Sequence, residues 1–222
     1  VKHELFWISG SPYSWRVQLT LAYKGIAYDS HRLDTGKDEH RTPAFLALNS
    51  RGKAPVLKTG GSAISESIAI MAFLDRAHPA VPLFGRTAQE VGWIWQQILE
   101  FENYLRDLIE NGIVRPLLRG EAGHDPEAMR ASADRVWEAL GGMSRTLSGS
   151  PCLVGNDITA ADIVALPHIQ LLRRVAPRLQ PVERGFELDK LAARLPALDD
   201  WRVRMEAMRG YDAAYPPHWR IS

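Results

Sequence analysis

The sequence predicts a two-part chain, an α/β domain with the element order β-α-β-α-β-β-α followed by an all-helical domain. Three observations carry this expectation. Short apolar runs alternate with helix-spaced segments up to about Ala77. A proline-containing connection, His78-Pro79-Ala80-Val81-Pro82-Leu83, then breaks the pattern. Everything after it reads as helices, by the three-to-four-residue spacing of its apolar positions. The expected division is residues 1–77, a linker over 78–86, and a helical domain over 87–222.

Residues 4–9, around Leu5-Phe6-Trp7-Ile8, read as a buried strand, and residues 12–25 as a helix ending at Gly25. Ser11-Pro12 suits that helix start, because serine caps free N–H groups and proline fits the first helical position. Residues 28–33 form a second strand. A polar segment over 34–42 leads to a helical turn at Pro43-Ala44-Phe45-Leu46. Residues 54–58 and Ala63-Ile64 form a hairpin across Gly60-Gly61. Ser65-Glu66-Ser67 then opens a helix through Leu74, with acidic and hydroxyl residues at its start.

Beyond the connection, residues 88–118 make one long periodic helix bearing Val91, Ile94, Trp95, Ile98, Leu99, Phe101, Leu105 and Leu108. Residues 126–147 and 159–175 are two more. Residues 188–208 are a fourth helical region, broken near Leu195-Pro196, and residues 211–222 an irregular tail. Thr159-Ala160-Ala161-Asp162 is a capping box, bracketed by Ile158 and Ile163 as a hydrophobic staple. Its role is structural: it starts a helix inside the core.

At 222 residues the chain has room for two cores. A net charge of +1 argues against nucleic acid or an anionic membrane as a bulk partner. No apolar stretch approaches a bilayer span. The start, Val1-Lys2-His3-Glu4, lacks the apolar core of a secretory signal, so a cytoplasmic protein is expected. The single cysteine, Cys152, excludes an internal disulfide and a cysteine-rich metal site; it reads as a small core hydrophobe, and no metal is expected.

The turn Ser11-Pro12-Tyr13-Ser14 admits two readings. Ser11 can simply cap the helix. Its hydroxyl also faces the positive end of a helix dipole, where an anion such as a thiolate is favoured.

The chain resembles the glutathione transferase superfamily, whose first domain is thioredoxin-like, over nearly its whole length. Four motifs carry the resemblance: Ser11-Pro12-Tyr13-Ser14-Trp15-Arg16-Val17 with Lys24-Gly25-Ile26-Ala27-Tyr28; His40-Arg41-Thr42-Pro43-Ala44-Phe45-Leu46-Ala47-Leu48-Asn49; Gly52-Lys53-Ala54-Pro55-Val56-Leu57 with Ser65-Glu66-Ser67-Ile68-Ala69-Ile70; and the Thr159–Asp162 box. It is similar to the serine-type branch, near the theta, phi and zeta classes. Ser14-Trp15-Arg16-Val17 resembles zeta, and His40-Arg41 through Leu48-Asn49 resembles phi. Pro12-Tyr13 stands where zeta has Ser-Cys, so that class's maleylacetoacetate isomerase activity is not carried over. Ser11 stands where the omega and beta classes carry cysteine.

The resemblance implies attack by a glutathione thiolate on an electrophilic carbon, with conjugation or isomerisation as the outcome. Glutathione is then a co-substrate beside a small apolar electrophile, and the expected assembly is a homodimer. Ser11 is the implied catalytic residue, a hydrogen-bond donor to the sulfur rather than a nucleophile; Ser14 is the rival hydroxyl. Pro55 matches the family's cis-proline, with Ala54 pairing to the cysteinyl backbone; an ordinary trans proline is the plain alternative. Ser67 is implied at the γ-glutamyl carboxylate and Glu66 at its ammonium, against a plain acidic first turn. His40, Arg41 and Lys53 are implied at the glycyl carboxylate, against solvated surface cations. The acceptor pocket is expected between the halves, lined by Tyr13, Tyr104 and Arg115, with Trp95 and Arg119 also considered; for Trp95 a core position is the better reading. A non-catalytic glutathione-binding, apolar-ligand-binding or protein-interaction module on the same fold is the alternative. A thiol-disulfide oxidoreductase is disfavoured because serine cannot form a mixed disulfide.

Overall fold

The computed structural model describes residues 2–121, 123–178 and 183–220; Val1 and the last two residues of the tail lie outside them. The chain forms two compact units, Val1–Leu83 together with Glu206–Ser222, and Phe84–Met205.

The first unit contains β1 (His3–Trp7), α1 (Pro12–Lys24), β2 (Asp29–Arg32), α2 (Pro43–Leu46), β3 (Val56–Thr59), β4 (Ser62–Ser65) and α3 (Ser67–Ala77). The sheet order is β2-β1-β3-β4, with β1 and β2 parallel and the other two pairs antiparallel. Strand alternation divides β1 between two faces. Leu5 and Trp7 pack with Val17 and Leu21 of α1, Leu57, and Ile70 and Leu74 of α3. Phe6, of opposite parity, stacks on His31 and meets Phe45 of α2 at 6.2 Å.

α1 ends as the sequence indicates. Gly25 takes a left-handed φ of 68°, and Ile26 N–H returns to the Leu21 carbonyl, a glycine-terminated cap. Lys24, almost wholly buried, pairs with Asp75 of α3 at 2.7 Å and donates to the Val81 carbonyl. His3 Nδ1 lies 2.9 Å from Thr59 Oγ1 and its Nε2 lies 3.0 Å from His78 Nε2, which ties the start of β1 to the end of α3. Burial, then the neighbouring His78, hold the His3 pKa below its ordinary value.

The second unit is helical. α4 (Ala88–Glu100), a π-helical stretch Phe101–Leu105, α5 (Arg106–Ile109), a second π stretch Glu110–Val114 and α6 (Arg115–Arg119) follow without a gap. The expected single helix is thus widened twice; Pro116, which has no N–H to donate, follows the second stretch by two residues. Then come α7 (Pro126–Ser148), α8 (Ala160–Val175), α9 (Leu191–Arg194) and α10 (Pro196–Glu206). Every residue from 160 to 170 is buried, which marks α8 as the central helix of this unit. Trp95 is a correction to the core reading. It is 36% exposed against the Phe84 ring, because Ile94 and Ile98 take the inward face of α4.

At the start of α8 the fully buried Asp162 carboxylate accepts from four donors. Leu153 N–H and the Trp201 indole reach one oxygen, and the N–H and O–H of Thr159 reach the other, all within 2.9 Å. Burial pushes the Asp162 pKa up, and these donors oppose it. Cys152 is buried, its thiol pushed up to about 12 by burial and then by Asp162.

The tail departs from the irregular segment expected. It contains α11 (Tyr211–Ala214) and a 3-10 turn, Pro217–Trp219, and from Glu206 it belongs with the α/β unit rather than the helical one. The reason is aromatic packing: Tyr211, Tyr215 and Trp219, spaced by four, all meet the ring of Trp15 on α1.

Candidate active site

Sheet register gathers the implied site residues of the first unit at one end. Phe6 pairs with Val56 and Val56 with Ser65. The exit of β1 toward Ser11, the entry to β3 at Ala54-Pro55, and the exit of β4 toward Glu66-Ser67 therefore share one edge of the sheet. β2 runs parallel to β1, so the segment leading to His40 and Arg41 leaves from that edge too.

Ser11 is the N-cap of α1, in extended conformation, with Pro12 in the first turn. Its half-buried Oγ accepts from Ser14 N–H at 3.3 Å. A hydroxyl that accepts in this way keeps its own hydrogen to donate. Ser14 differs: it is fully buried and its Oγ accepts from Ile8 N–H at 3.1 Å, which bolts the β1–α1 turn to the helix. Capping and donation are thus both open to Ser11, whereas Ser14 is committed to the interior. α1 has no acidic residue in its first turn, so its positive end is uncompensated by a carboxylate there.

The Ala54–Pro55 peptide is cis. Glu66 is the N-cap of α3 but makes no capping bond, which corrects the acidic-first-turn reading. Its φ of 69° is rare for a residue with a side chain, and its exposed carboxylate lies 3.8 Å from the guanidinium of Arg51. Ser67, the first residue of α3, is buried. His40 and Arg41 meet Gly52, whose φ is 61°; a Cβ there would come within 3.0 Å of the His40 carbonyl and 3.3 Å of Arg41 Cδ. Lys53 is exposed, and its carbonyl accepts from the Asn49 side chain at 2.7 Å. His40 Nδ1 is buried without a hydrogen-bond partner among the described residues.

Two cations next to this constellation carried no role in the sequence reading. Arg51 is one, by its pairing with Glu66. The other is Arg16, wholly buried in α1 with its guanidinium 5.2 Å from the Tyr13 ring. A charge inside the apolar run Trp15-Arg16-Val17 was the available signal for it. The acceptor-side expectations fall on both units. Tyr13 is half-buried on α1. In the helical unit Tyr104 is 67% exposed beside a groove of about 370 Å³ with Phe101, Leu105 and Met143. Arg115 is paired with the buried Glu110 at 2.6 Å, and the exposed Arg119 lies 3.9 Å from Glu121.

Residues 10–77 match the family model described as Glutathione S-transferase, N-terminal domain, and residues 126–204 the corresponding C-terminal domain. A maleylacetoacetate isomerase from Pseudomonas aeruginosa is 30% identical over 192 residues, 83% of this chain and 88% of its own. The chain belongs to the glutathione S-transferase family. Glutathione S-transferase F10 of Arabidopsis thaliana is 30% identical over 165 residues, 72% of this chain and 76% of the relative. Among solved structures, a glutathione S-transferase from the Antarctic clam Laternula elliptica superposes with a TM-score of 0.82 at 25% identity, covering 100% of this chain and 95% of that one. No helix among the described residues is long and apolar enough to cross a membrane, and no group of three or more metal-ligating side chains occurs among them.

Proposed function

We propose that this member of the family activates the thiol of glutathione through Ser11 and directs it at a small apolar electrophile. The observation that carries the proposal is the half-buried Ser11 hydroxyl at the start of α1, accepting from Ser14 N–H and with its own proton left to give. A free thiol has a pKa of about 8.5, so little of it is ionised near neutral pH. An O–H···S⁻ bond and the positive end of a thirteen-residue helix both favour the anion. The thiol proton leaves to solvent. The thiolate then forms a C–S bond, and either a leaving group departs or, in isomerisation, the sulfur adds to an unsaturated carbon and is expelled again after bond rotation.

The rest of the sheet edge supports the same ligand. Ala54 and Pro55 stand where the resemblance pairs the cysteinyl backbone, and Ser67 and Glu66 where it binds the γ-glutamyl end. His40, Arg41 and Lys53 stand at the glycyl carboxylate, and the partnerless His40 Nδ1 is a polar atom that a ligand can satisfy. Tyr13, Tyr104 and Arg115 are assigned to the electrophile. The exposed apolar side chains Val91, Trp93 and Leu99 of α4 support association of two copies as a homodimer; a cytoplasmic location is part of the same proposal.

Turnover of a generic aryl halide with glutathione tests the proposal. Ser11→Ala is expected to lower kcat by about ten- to a hundredfold, the scale of a hydrogen bond to a charged group. Unchanged turnover in that variant removes Ser11 from the mechanism. Retention on immobilised glutathione with no turnover of a broad electrophile panel gives the binding-module alternative instead.

A further inference from the structure

The tail lies along α1 in the direction opposite to the helix. At the C-terminal end of α1, Arg209 donates to the Tyr23 carbonyl at 2.5 Å. Gly210 rests on Ala22 there, so closely that a Cβ on it would stand 2.5 Å from the Ala22 Cβ. Midway, Tyr211 and Tyr215 meet Trp15, whose ring is 1% exposed. At the N-terminal end the 3-10 turn Pro217–Trp219 reaches the loop between β1 and α1. His218 Nδ1 is 2.7 Å from Ser9 Oγ, and Trp219 is buried against Trp15.

Gly10 shows how close this last contact is. With φ of 79°, it would place a Cβ 2.8 Å from His218 Cε1 and 3.3 Å from Trp219 Nε1. The tail therefore covers the residue immediately before Ser11. From inside, the same loop is held by Ile8 N–H to Ser14 Oγ and by Ser11 N–H to the Ile8 carbonyl at 3.3 Å. From outside, the Ser9–His218 side-chain hydrogen bond helps to hold it.

We propose that His218 is a positioning residue for the reaction: by holding Ser9 and closing over Gly10 it fixes the loop that aims the Ser11 hydroxyl. This rests on the reading of Ser11 given above. His218 is assigned no contact with substrate and acts through the loop. The charged groups on the elements around it are Arg16 and Lys24 on α1, the latter paired with Asp75, and Arg209, Asp212 and Arg220 on the tail. Arg220 lies 3.7 Å from Asp212 and over the Tyr215 ring. A misaimed hydroxyl stabilises the thiolate less, so the loss must appear as a shift in the ionisation that governs kcat, which reports the enzyme–substrate complex.

The experiment is a pH profile of kcat for the full chain and for Ser9→Ala, His218→Ala, His218→Asn and Ser11→Ala, with the Ser9→Ala/His218→Ala double variant. Ser9→Ala and His218→Ala should each move the acid limb upward and lower kcat at pH 6.5 by about three- to tenfold, the scale of one ordinary hydrogen bond. The double variant should lose no more than either single one. His218→Asn keeps a side-chain partner for Ser9 and has no titrating ring, so its recovery of the wild-type limb assigns the effect to position rather than charge. Ser9 is the smaller, loop-borne half of the pair, so its variant carries the test should His218→Ala fold poorly. If Ser11→Ala moves the limb while Ser9→Ala and His218→Ala leave it in place, the inference fails alone. If Ser11→Ala itself leaves the limb in place, the reading beneath fails and the inference goes with it.

Discussion

Two helices in this chain begin in the same way and end up with different work. α1 starts at Ser11 and α8 at Thr159, each with a hydroxyl residue at the N-cap. At Thr159 both donors are committed: the N–H and the hydroxyl give their protons to Asp162, which takes four donors inside the core of the helical unit. At Ser11 there is no carboxylate in the turn, and the oxygen accepts one long bond while its proton remains available. The lesson is about hydrogen-bonding capacity. A capping turn whose capacity is filled stabilises the fold, whereas one with a donor left over, partly exposed at a positive helix end, can hold an anion.

The largest effect expected is on the α8 side. Asp162→Ala leaves the Leu153 and Thr159 N–H groups and the Trp201 indole without an acceptor in a dry core. Unmet buried donors cost ~1–3 kcal/mol each, so the helical unit should lose about 3 kcal/mol or more, read from the denaturant midpoint. Activity per folded molecule should stay near wild type. A midpoint that hardly moves would mean that Asp162 is not the clamp described.

Ser14→Ala sharpens the contrast within α1 itself. The variant removes the buried acceptor of Ile8 N–H and should cost about 1–2 kcal/mol. The loss should be larger than that of Ser11→Ala, whose cap is replaced at ~1 kcal/mol. The order in activity should be the reverse, with Ser11→Ala the more damaging. Equal losses of activity would collapse the distinction between the two serines.

The smallest effect concerns acid. Neither capping turn contains a histidine, so sensitivity between about pH 6.5 and 5 should come from elsewhere, the His3–His78 pair included. The His3 pKa is lowered on folding, so the folded chain binds fewer protons than the unfolded one. Its contribution is therefore present above the unfolded value of about 6.5 and is lost as the pH falls below it toward the folded value. The unfolding midpoint should fall through that window with the same slope in wild type, Ser11→Ala and Ser14→Ala. His78→Gln should make the slope shallower.

Much of the first unit was legible because its signals are local. Gly25 closes α1 and Gly60-Gly61 joins β3 to β4, and in the second unit Thr159 with Asp162 opens α8 by an equally local signal, each where the residue types demand. What escaped depends on contacts distant in sequence. Glu66 looks like an acidic first turn, yet it takes a left-handed backbone and faces Arg51. Trp95 carries core chemistry, but the inward face of its helix is taken by Ile94 and Ile98 and it is left 36% exposed. The tail reads as irregular because its helical pieces are short. Their partner is Trp15, about two hundred residues earlier, and the spacing of Tyr211, Tyr215 and Trp219 was the trace of it. Arg16 and Arg51 were visible as cations but not as neighbours of a site, since only the fold assigns them places beside Tyr13 and Glu66.

The most direct test of the central claim is an ultraviolet titration of the thiolate of glutathione bound to the chain, compared with Ser11→Ala. With serine in place the bound thiol should ionise well below the free value of about 8.5, and the alanine variant should return it most of the way. The same ionisation in both proteins would contradict the account, because the hydroxyl would then contribute nothing to the anion it is said to hold.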